Sequence, residues 1–129
     1  MKYNFKINNP HQHFIEISAE FNVNDRSTIS LNLPSWRPGR YELGNFAKNV
    51  KDLIVKDNLG SILNFTKTSK DQWLVNTAGV ETVIVTYLYY ANELNAGSTY
   101  LDENQLYVNP INCCLFDINL INDECNVYL

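Results

Sequence analysis

The first third of the chain alternates apolar and polar residues with the period of a β-strand. Every second residue is apolar in residues 2–8, and the same alternation is clearest in residues 15–23. It returns in residues 29–33, after an Asn24-Asp25 pair that is typical of a turn. The pattern therefore predicts three half-buried strands, each with one face in a core.

The middle of the chain continues as short strands. Residues 53–55, 62–68 and 72–75 fit strands, and Gly60 marks a hairpin turn. Residues 82–91 differ from the rest because they are apolar on both faces. This predicts a central strand, or a strand whose outer face is covered by another domain.

The last third carries weaker strand patterns at residues 101–108 and 113–120. Residues 125–129 begin a further alternating strand, and we therefore expect the chain to be the front part of a longer protein. Short strands without a long helical pattern predict an all-β fold, an antiparallel β-sandwich of the immunoglobulin type. One domain is expected over residues 1–129, with at most a short helical turn at residues 46–50.

Residues 33–50 interrupt the strand pattern. Pro34 and Pro38 remove backbone donors, so no central strand passes through this stretch. Pro38 followed by Gly39 predicts a type II turn, because glycine accepts the positive φ at its third position. The large and charged side chains of this stretch are the expected contacts with another domain: Trp36, Arg37, Arg40, Tyr41 and Phe46. As an anchor, all of them except Phe46 should be substantially exposed in the isolated domain.

The same stretch carries a family resemblance. The pattern L-P-x-W-x-P-G-x-Y at residues 33–41, followed by N-F-A-K-N-V, resembles the N-terminal domain of the glycyl-aminopeptidase family of zinc metallopeptidases. The similarity extends over nearly the whole chain, in the same order. It includes residues 9–21, 70–73, 87–94 and 99–102.

The resemblance implies a β-sandwich that precedes a thermolysin-like catalytic domain, often with a PDZ domain after it. It implies that zinc and the hydrolysis of peptides belong to that missing catalytic domain, while this chain is non-catalytic and holds no metal. The expected partners are the catalytic domain in cis and the peptide substrate. Asn109 is implied to accept from the free amino end of the substrate, although the family usually has Asn-Gly where this chain has Asn109-Pro110.

The aromatic side chains leave several interpretations open. They fill the core, anchor the chain to another domain, or form a stacking platform for a sugar. The last interpretation makes the chain a free-standing carbohydrate-binding module, our second hypothesis. Our first hypothesis is the non-catalytic N-terminal domain of a zinc peptidase, which docks on the catalytic domain and walls off one end of the substrate cleft. Continuation of the reading frame into an H-E-x-x-H helix would distinguish the two hypotheses. The side chains in question are Trp36, Tyr41, Phe46, Trp73, Tyr89 and Tyr90.

Composition narrows the partners. A net charge of −4 and a pI near 5.0 argue against nucleic acid, since no basic stripe can neutralise phosphates. No apolar run approaches the roughly 20 residues of a membrane span, and the N-terminus lacks the apolar region of a secretory signal. The cytoplasm is therefore favoured.

The apolar side chains at residues 125–129 and in the proline-rich stretch predict self-association of the isolated domain at high concentration.

The two histidines, His11 and His13, are the candidate metal ligands. On one strand face they would supply two ligands, but catalytic zinc takes three protein ligands and H-E-x-x-H is absent. We favour a structural role, with His13 hydrogen-bonded at the rim of the sandwich.

The remaining chemical groups point to structure. Cys113 and Cys114 are neighbours on a predicted strand, which favours two buried thiols over a metal site or a nucleophile. The carboxylate pairs at residues 102–103 and 123–124 lie in polar stretches, which favours solvated turns over paired acid and base.

Overall fold

The computed structural model describes all 129 residues and is dominated by strands. The strands are β1 (Lys2–Lys6), β2 (Phe14–Asn22), β3 (Thr28–Asn32), β4 (Val50–Asp57), β5 (Phe65–Ser69), β6 (Gln72–Asn76), β7 (Thr82–Tyr90), β8 (Tyr100–Leu101), β9 (Leu106–Tyr107) and β10 (Asn126–Tyr128). The helical segments are short: α1 (Pro110–Cys113) and 3-10 helices at Pro10–Gln12, Phe46–Asn49 and Ile118–Leu120. None of them has the length and apolar character needed to cross a bilayer.

The strands form two main sheets and one small hairpin. The larger sheet has the order β10-β1-β2-β7-β4, the smaller one has the order β3-β6-β5, and β8 pairs with β9. All pairs are antiparallel except β1 with β10, which are parallel. The predicted all-β sandwich is therefore confirmed, with one parallel pair at the edge of the larger sheet.

The core lies between the two sheets. Alternate residues of β2 and β7 point into it, so that Phe21 and Tyr87 are almost completely buried. Leu31 of β3 and Val75 of β6 close it from the other sheet. As predicted for a strand with two apolar faces, β7 is central, because it pairs with β2 on one side and β4 on the other.

Two predicted strands in the last third were wrong. Residues 113–120 form no strand, because Pro110 at the first turn and the side chain of Asn109 start α1, and the Asp117 carboxylate caps the next 3-10 helix. Residues 101–108 are split into β8 and β9, because Asp102 Oδ1 accepts from two backbone N–H groups and stabilises a turn.

The strand predicted for residues 62–68 begins later, at Phe65, and only Ile62 forms an isolated bridge before it. The last alternating segment forms β10, and the helical turn predicted at residues 46–50 is the 3-10 helix Phe46–Asn49. That helix follows the proline-rich stretch and leads directly into β4.

Candidate functional site

Residues 34–45, which connect β3 to the 3-10 helix Phe46–Asn49, form the loop that we call the aromatic loop. Its central turn has Pro38 and Gly39 at the middle positions, and Gly39 takes a φ of +85°. The Arg40 N–H donates to the Arg37 carbonyl at 3.4 Å and closes the turn. Glycine suits this position because other residues are strained at positive φ.

Further hydrogen bonds fold the aromatic loop back on itself. The Gly44 N–H donates to the Ser35 carbonyl at 2.7 Å, which brings the two ends of the loop together. The indole N–H of Trp36 donates to the Arg40 carbonyl at 2.8 Å. The loop therefore has a defined shape that does not depend on burial.

The side chains of the aromatic loop differ in exposure. Trp36 is 52% exposed and Tyr41 is completely exposed. Arg40 is also exposed, whereas Arg37 and Phe46 are half-buried. The exposure expected of an anchor is therefore found for Trp36, Tyr41 and Arg40, whereas for Arg37 the expectation was wrong, because its guanidinium makes internal contacts.

Arg37 attaches the aromatic loop to the segment that follows β7. Its guanidinium lies 5.9 Å from the centre of the Phe46 ring, and its Nη1 donates to the Gly97 carbonyl. A Cβ atom at position 97 would overlap with the Arg37 guanidinium. Position 97 therefore requires glycine as long as Arg37 stays in place.

The Gly97 carbonyl is also the acceptor for two asparagines. Asn109 and Asn112 each donate a side-chain N–H to it at 2.8 Å. We call Arg37, Gly97, Asn109 and Asn112 the Gly97 cluster. It joins the aromatic loop, the loop after β7 and helix α1 at one oxygen atom.

Asn109 has a structural role in addition to the one implied for it. Its Oδ1 accepts from the Ile111 N–H at 3.4 Å and caps α1, and its own N–H donates to the Thr99 hydroxyl at 3.0 Å. An amide oxygen has two lone pairs, so Oδ1 keeps one for a further donor. The contact of Asn109 with a substrate ammonium stays a prediction.

Two cavities share Arg37 and Arg40 in their walls. The first, the charged cavity, has a volume of about 160 Å³ and includes Glu42, Lys48 and Glu93. The second, the Asn109 cavity, has a volume of about 310 Å³. Besides the two arginines, its walls include Pro38, Gly39, Ala96, Gly97, Asn109 and Ile111.

The structure thus brings together residues that are far apart in the sequence. Asn109 lies beside the turn of the aromatic loop, while Trp36 and Tyr41 line neither cavity. Sequence analysis missed Gly97 and Asn112, which hold this region together. A glycine in the polar stretch at residues 92–98 was the only sequence signal, and it indicates a turn and not a partner for Arg37.

Of the three remaining aromatic side chains of that set, Trp73, Tyr89 and Tyr90, one is exposed: Tyr90, at 40%. Trp73 and Tyr89 are buried in the core, at 4% and 2% exposure, and burial raises the pKa of Tyr89 to about 12. Tyr90 packs against Phe14, with the ring centres 5.2 Å apart. These positions do not form the flat platform that a carbohydrate-binding module would need, so that hypothesis finds no support.

The two histidines are not on a strand, contrary to the prediction. His11 lies in the first 3-10 helix, and His13 ends it with a φ of 59°. His13 Nδ1 lies 2.5 Å from the Leu101 carbonyl, and His11 Nδ1 lies 2.7 Å from a Glu103 carboxylate oxygen. No three His, Cys, Asp or Glu side chains lie close enough to one another to hold a metal ion.

The two neighbouring cysteines, Cys113 and Cys114, lie at the end of α1. Cys113 is the last residue of α1 and is fully buried, while Cys114 is half-buried, so the predicted strand position was wrong. A hydrogen bond with the Cys113 thiol, followed by burial, raises the pKa of Cys114 well above its usual value. A thiol that stays protonated is a poor nucleophile.

Comparison with known proteins places this fold in a family. Residues 2–129 match the model of the peptidase M61 N-terminal domain, and the chain belongs to this family. It is an all-β N-terminal domain of peptidases.

A solved structure agrees with this assignment. The chain is similar to an aminopeptidase N family protein from Idiomarina loihiensis, with a TM-score of 0.89 and 28% sequence identity. The match covers 98% of this chain and 21% of that protein, so the domain spans about a fifth of its neighbour. No curated protein matches the chain.

Proposed function

We propose that this chain is the non-catalytic N-terminal domain of a zinc-dependent aminopeptidase of the glycyl-aminopeptidase type. In this proposal the domain docks on the catalytic domain of the same protein and helps to shape the substrate cleft. The observation that carries the proposal is the exposure of Trp36 and Tyr41 on a loop that is folded by its own hydrogen bonds. Tryptophan and tyrosine are the residues that most often dominate binding at interfaces.

The rigidity of the aromatic loop favours docking. A loop that changes shape on binding loses conformational entropy and therefore binds more weakly. Here the turn at Gly39, the Trp36–Arg40 bond and the Arg37–Gly97 contact hold the loop before any partner arrives. Covering the two exposed aromatic side chains then removes apolar surface from water at little ordering cost.

The chemistry in this proposal belongs to the partner domain. Zinc bound in that domain would supply polarisation of the peptide carbonyl and activation of a water molecule. This chain contributes walls, and Asn109 contributes one free lone pair toward the amino end of the peptide. The Asn109 side chain faces the same cavity as the turn of the aromatic loop, so docking and substrate contact would occur at neighbouring positions.

The docking proposal is tested in the full-length protein with a Trp36→Ala/Tyr41→Ala double variant. We expect kcat/KM for alanyl and glycyl anilides to fall, and proteolytic cleavage after residue 129 to accelerate by about tenfold, because the two domains separate more often. Leu59→Ala is the matched control, since Leu59 is 85% exposed but lies in the turn between β4 and β5. A double variant that matches both the wild type and Leu59→Ala would contradict docking through this loop.

The non-catalytic assignment has a separate test. The isolated 129-residue domain is incubated with zinc and the same anilides, and we expect neither stoichiometric zinc binding nor turnover. Turnover together with bound zinc would overturn this assignment without affecting the docking result.

A further inference from the structure

The charged cavity concentrates positive charge in an acidic chain. The chain has a net charge of −4, yet the walls of this cavity carry three cations, Arg37, Arg40 and Lys48, against two carboxylates, Glu42 and Glu93. The cavity therefore has a local charge of +1. A small concave site with one excess positive charge attracts a small anion.

The cations of this cavity have donors to spare. Arg37 uses one of its five N–H groups, toward the Gly97 carbonyl, and the Phe46 ring holds the guanidinium in place. Lys48 is exposed and takes part in no ion pair. A guanidinium that is held in position with free N–H groups is prepared for an oxygen ligand.

Both carboxylates of the cavity already have partners. Glu42 pairs with Arg40 at 3.3 Å, and Glu93 accepts from the Asn95 side chain at 2.9 Å. The Arg40–Glu42 pair is exposed on both sides, so it is weak and can exchange for another carboxylate. The two carboxylates therefore offset two of the three cations and leave one positive charge in the cavity.

We infer that the charged cavity binds a single carboxylate group, with Arg37 as the main ligand and Lys48 as a supporting cation. The charge of +1 matches a carboxylate and not a phosphate dianion, and a volume of about 160 Å³ suits a small group. The carboxylate has two sources with the same chemistry, an Asp or Glu side chain or the carboxyl terminus of a peptide. The inference does not depend on docking, because Trp36 and Tyr41 line no part of this cavity.

The test uses NMR of the isolated domain to monitor the Nε–H signals of its three arginines. Four probes are titrated: the α-amide of N-acetylglutamate (a side-chain carboxylate), N-acetylglutamine (a terminal carboxylate), N-acetylglutamine amide (no carboxylate) and inorganic phosphate. Arg26 is the internal control. Its Nη1 lies 2.8 Å from Oδ2 of the buried Asp117, and it lines neither of the two cavities that contain Arg37. We expect saturable shifts of Arg37 and Arg40 with at least one carboxylate probe and none with the neutral amide.

The pattern of shifts also identifies the source. A response to the side-chain probe alone supports an Asp or Glu side chain, a response to the terminal probe alone supports a peptide end, and a response to both supports the carboxylate itself. Three results would overturn the inference: no saturable shift with either carboxylate, an equal shift with the neutral amide or at Arg26, or tighter binding of phosphate.

Variants separate the site from general charge effects. Arg37→Lys keeps the charge but loses the planar fork, and we expect binding to weaken by about tenfold. Because Arg37 also supports the loop, Lys48→Gln is the second variant, with an expected loss of about two- to fivefold. Lys70→Gln makes the same charge change at an exposed position outside both cavities and should leave binding unchanged. Equal losses for Lys48→Gln and Lys70→Gln would contradict the site.

Discussion

Strand β2 is stabilised by apolar burial and strand pairing, whereas the aromatic loop is stabilised by a few specific hydrogen bonds. In β2 alternate residues are buried, and the strand is paired along its length with β1 and β7. In the aromatic loop no residue is fully buried, and its shape depends on a few hydrogen bonds and on Arg37. Apolar burial is non-directional and spread over many contacts, whereas a loop of this kind depends on a few specific partners.

The difference separates stability from recognition. The β2 region contributes to the free energy of unfolding through buried area. The aromatic loop contributes little buried area but offers exposed aromatic side chains and a positioned guanidinium. Substitutions in the first region should therefore affect stability, and substitutions in the second should affect binding.

The largest expected effect on stability is that of Trp73→Ala, which removes a large side chain from the core. Trp73 is 4% exposed on β6 and pairs with Leu31 across the smaller sheet. We expect a loss of about 3–5 kcal/mol in the free energy of unfolding, measured by urea denaturation, because a cavity remains. A loss below about 1 kcal/mol would show that the core repacks freely.

The stability of the domain at alkaline pH tests the burial of tyrosine hydroxyls, two of which connect the larger sheet to the end of α1 and the segment after it. The hydroxyl of Tyr87 donates to the Cys113 carbonyl and that of Tyr3 donates to the Leu115 carbonyl, each at 2.6 Å. Burial raises the pKa of Tyr3 and Tyr87 well above 10, and that of Tyr89 to about 12.

The direction in which stability changes with pH follows from the protons bound in the folded and unfolded states. Between pH 10 and 12 these tyrosines keep their protons in the folded chain and lose them in the unfolded chain. Stability is therefore present in full below pH 10 and falls as the pH rises, by roughly 1.4 kcal/mol per tyrosine per pH unit. Urea denaturation at pH 8 and pH 11 measures this loss, and Tyr89→Phe should reduce it. Equal stability at the two pH values would contradict the burial of these hydroxyls.

Gly97→Ala tests the specific contacts that hold the aromatic loop. The new Cβ displaces the Arg37 guanidinium, and we expect a loss of about 1–2 kcal/mol in the free energy of unfolding. In an Arg37→Ala background the same substitution should cost less than half as much, because nothing is left to displace. The double-mutant cycle measures the difference, and additive losses would show that the two residues act independently.

The smallest expected effect on stability is Trp36→Ala, the counterpart of Trp73→Ala. The same type of residue is removed, but Trp36 is 52% exposed and makes one hydrogen bond, to Arg40. We expect a loss below about 1 kcal/mol in the isolated domain. A loss comparable to that of Trp73→Ala would show that the loop belongs to the core, and it would remove the basis for docking.

The fold class, most strands and the family follow from local patterns in the sequence. Alternation of apolar residues marks strands with one buried face, and it identified β7 as central because both of its faces are apolar. The motif at residues 33–41 indicated the peptidase family that the comparisons then showed. These inferences succeeded because they depend on local period and local residue type.

Contacts between distant segments are visible only in the folded chain. Nothing in the sequence pairs β10 with β1 in parallel, and nothing directs Arg37 and Asn109 to the carbonyl of Gly97. The predicted strand at residues 113–120 failed for the related reason that Asn109 and Asp117 cap helical turns with their side chains. Hydrophobic period records which face of a segment is buried, but a polar side chain carries no signal for its distant partner. That partner is chosen only when the folded sheets bring their connecting loops together.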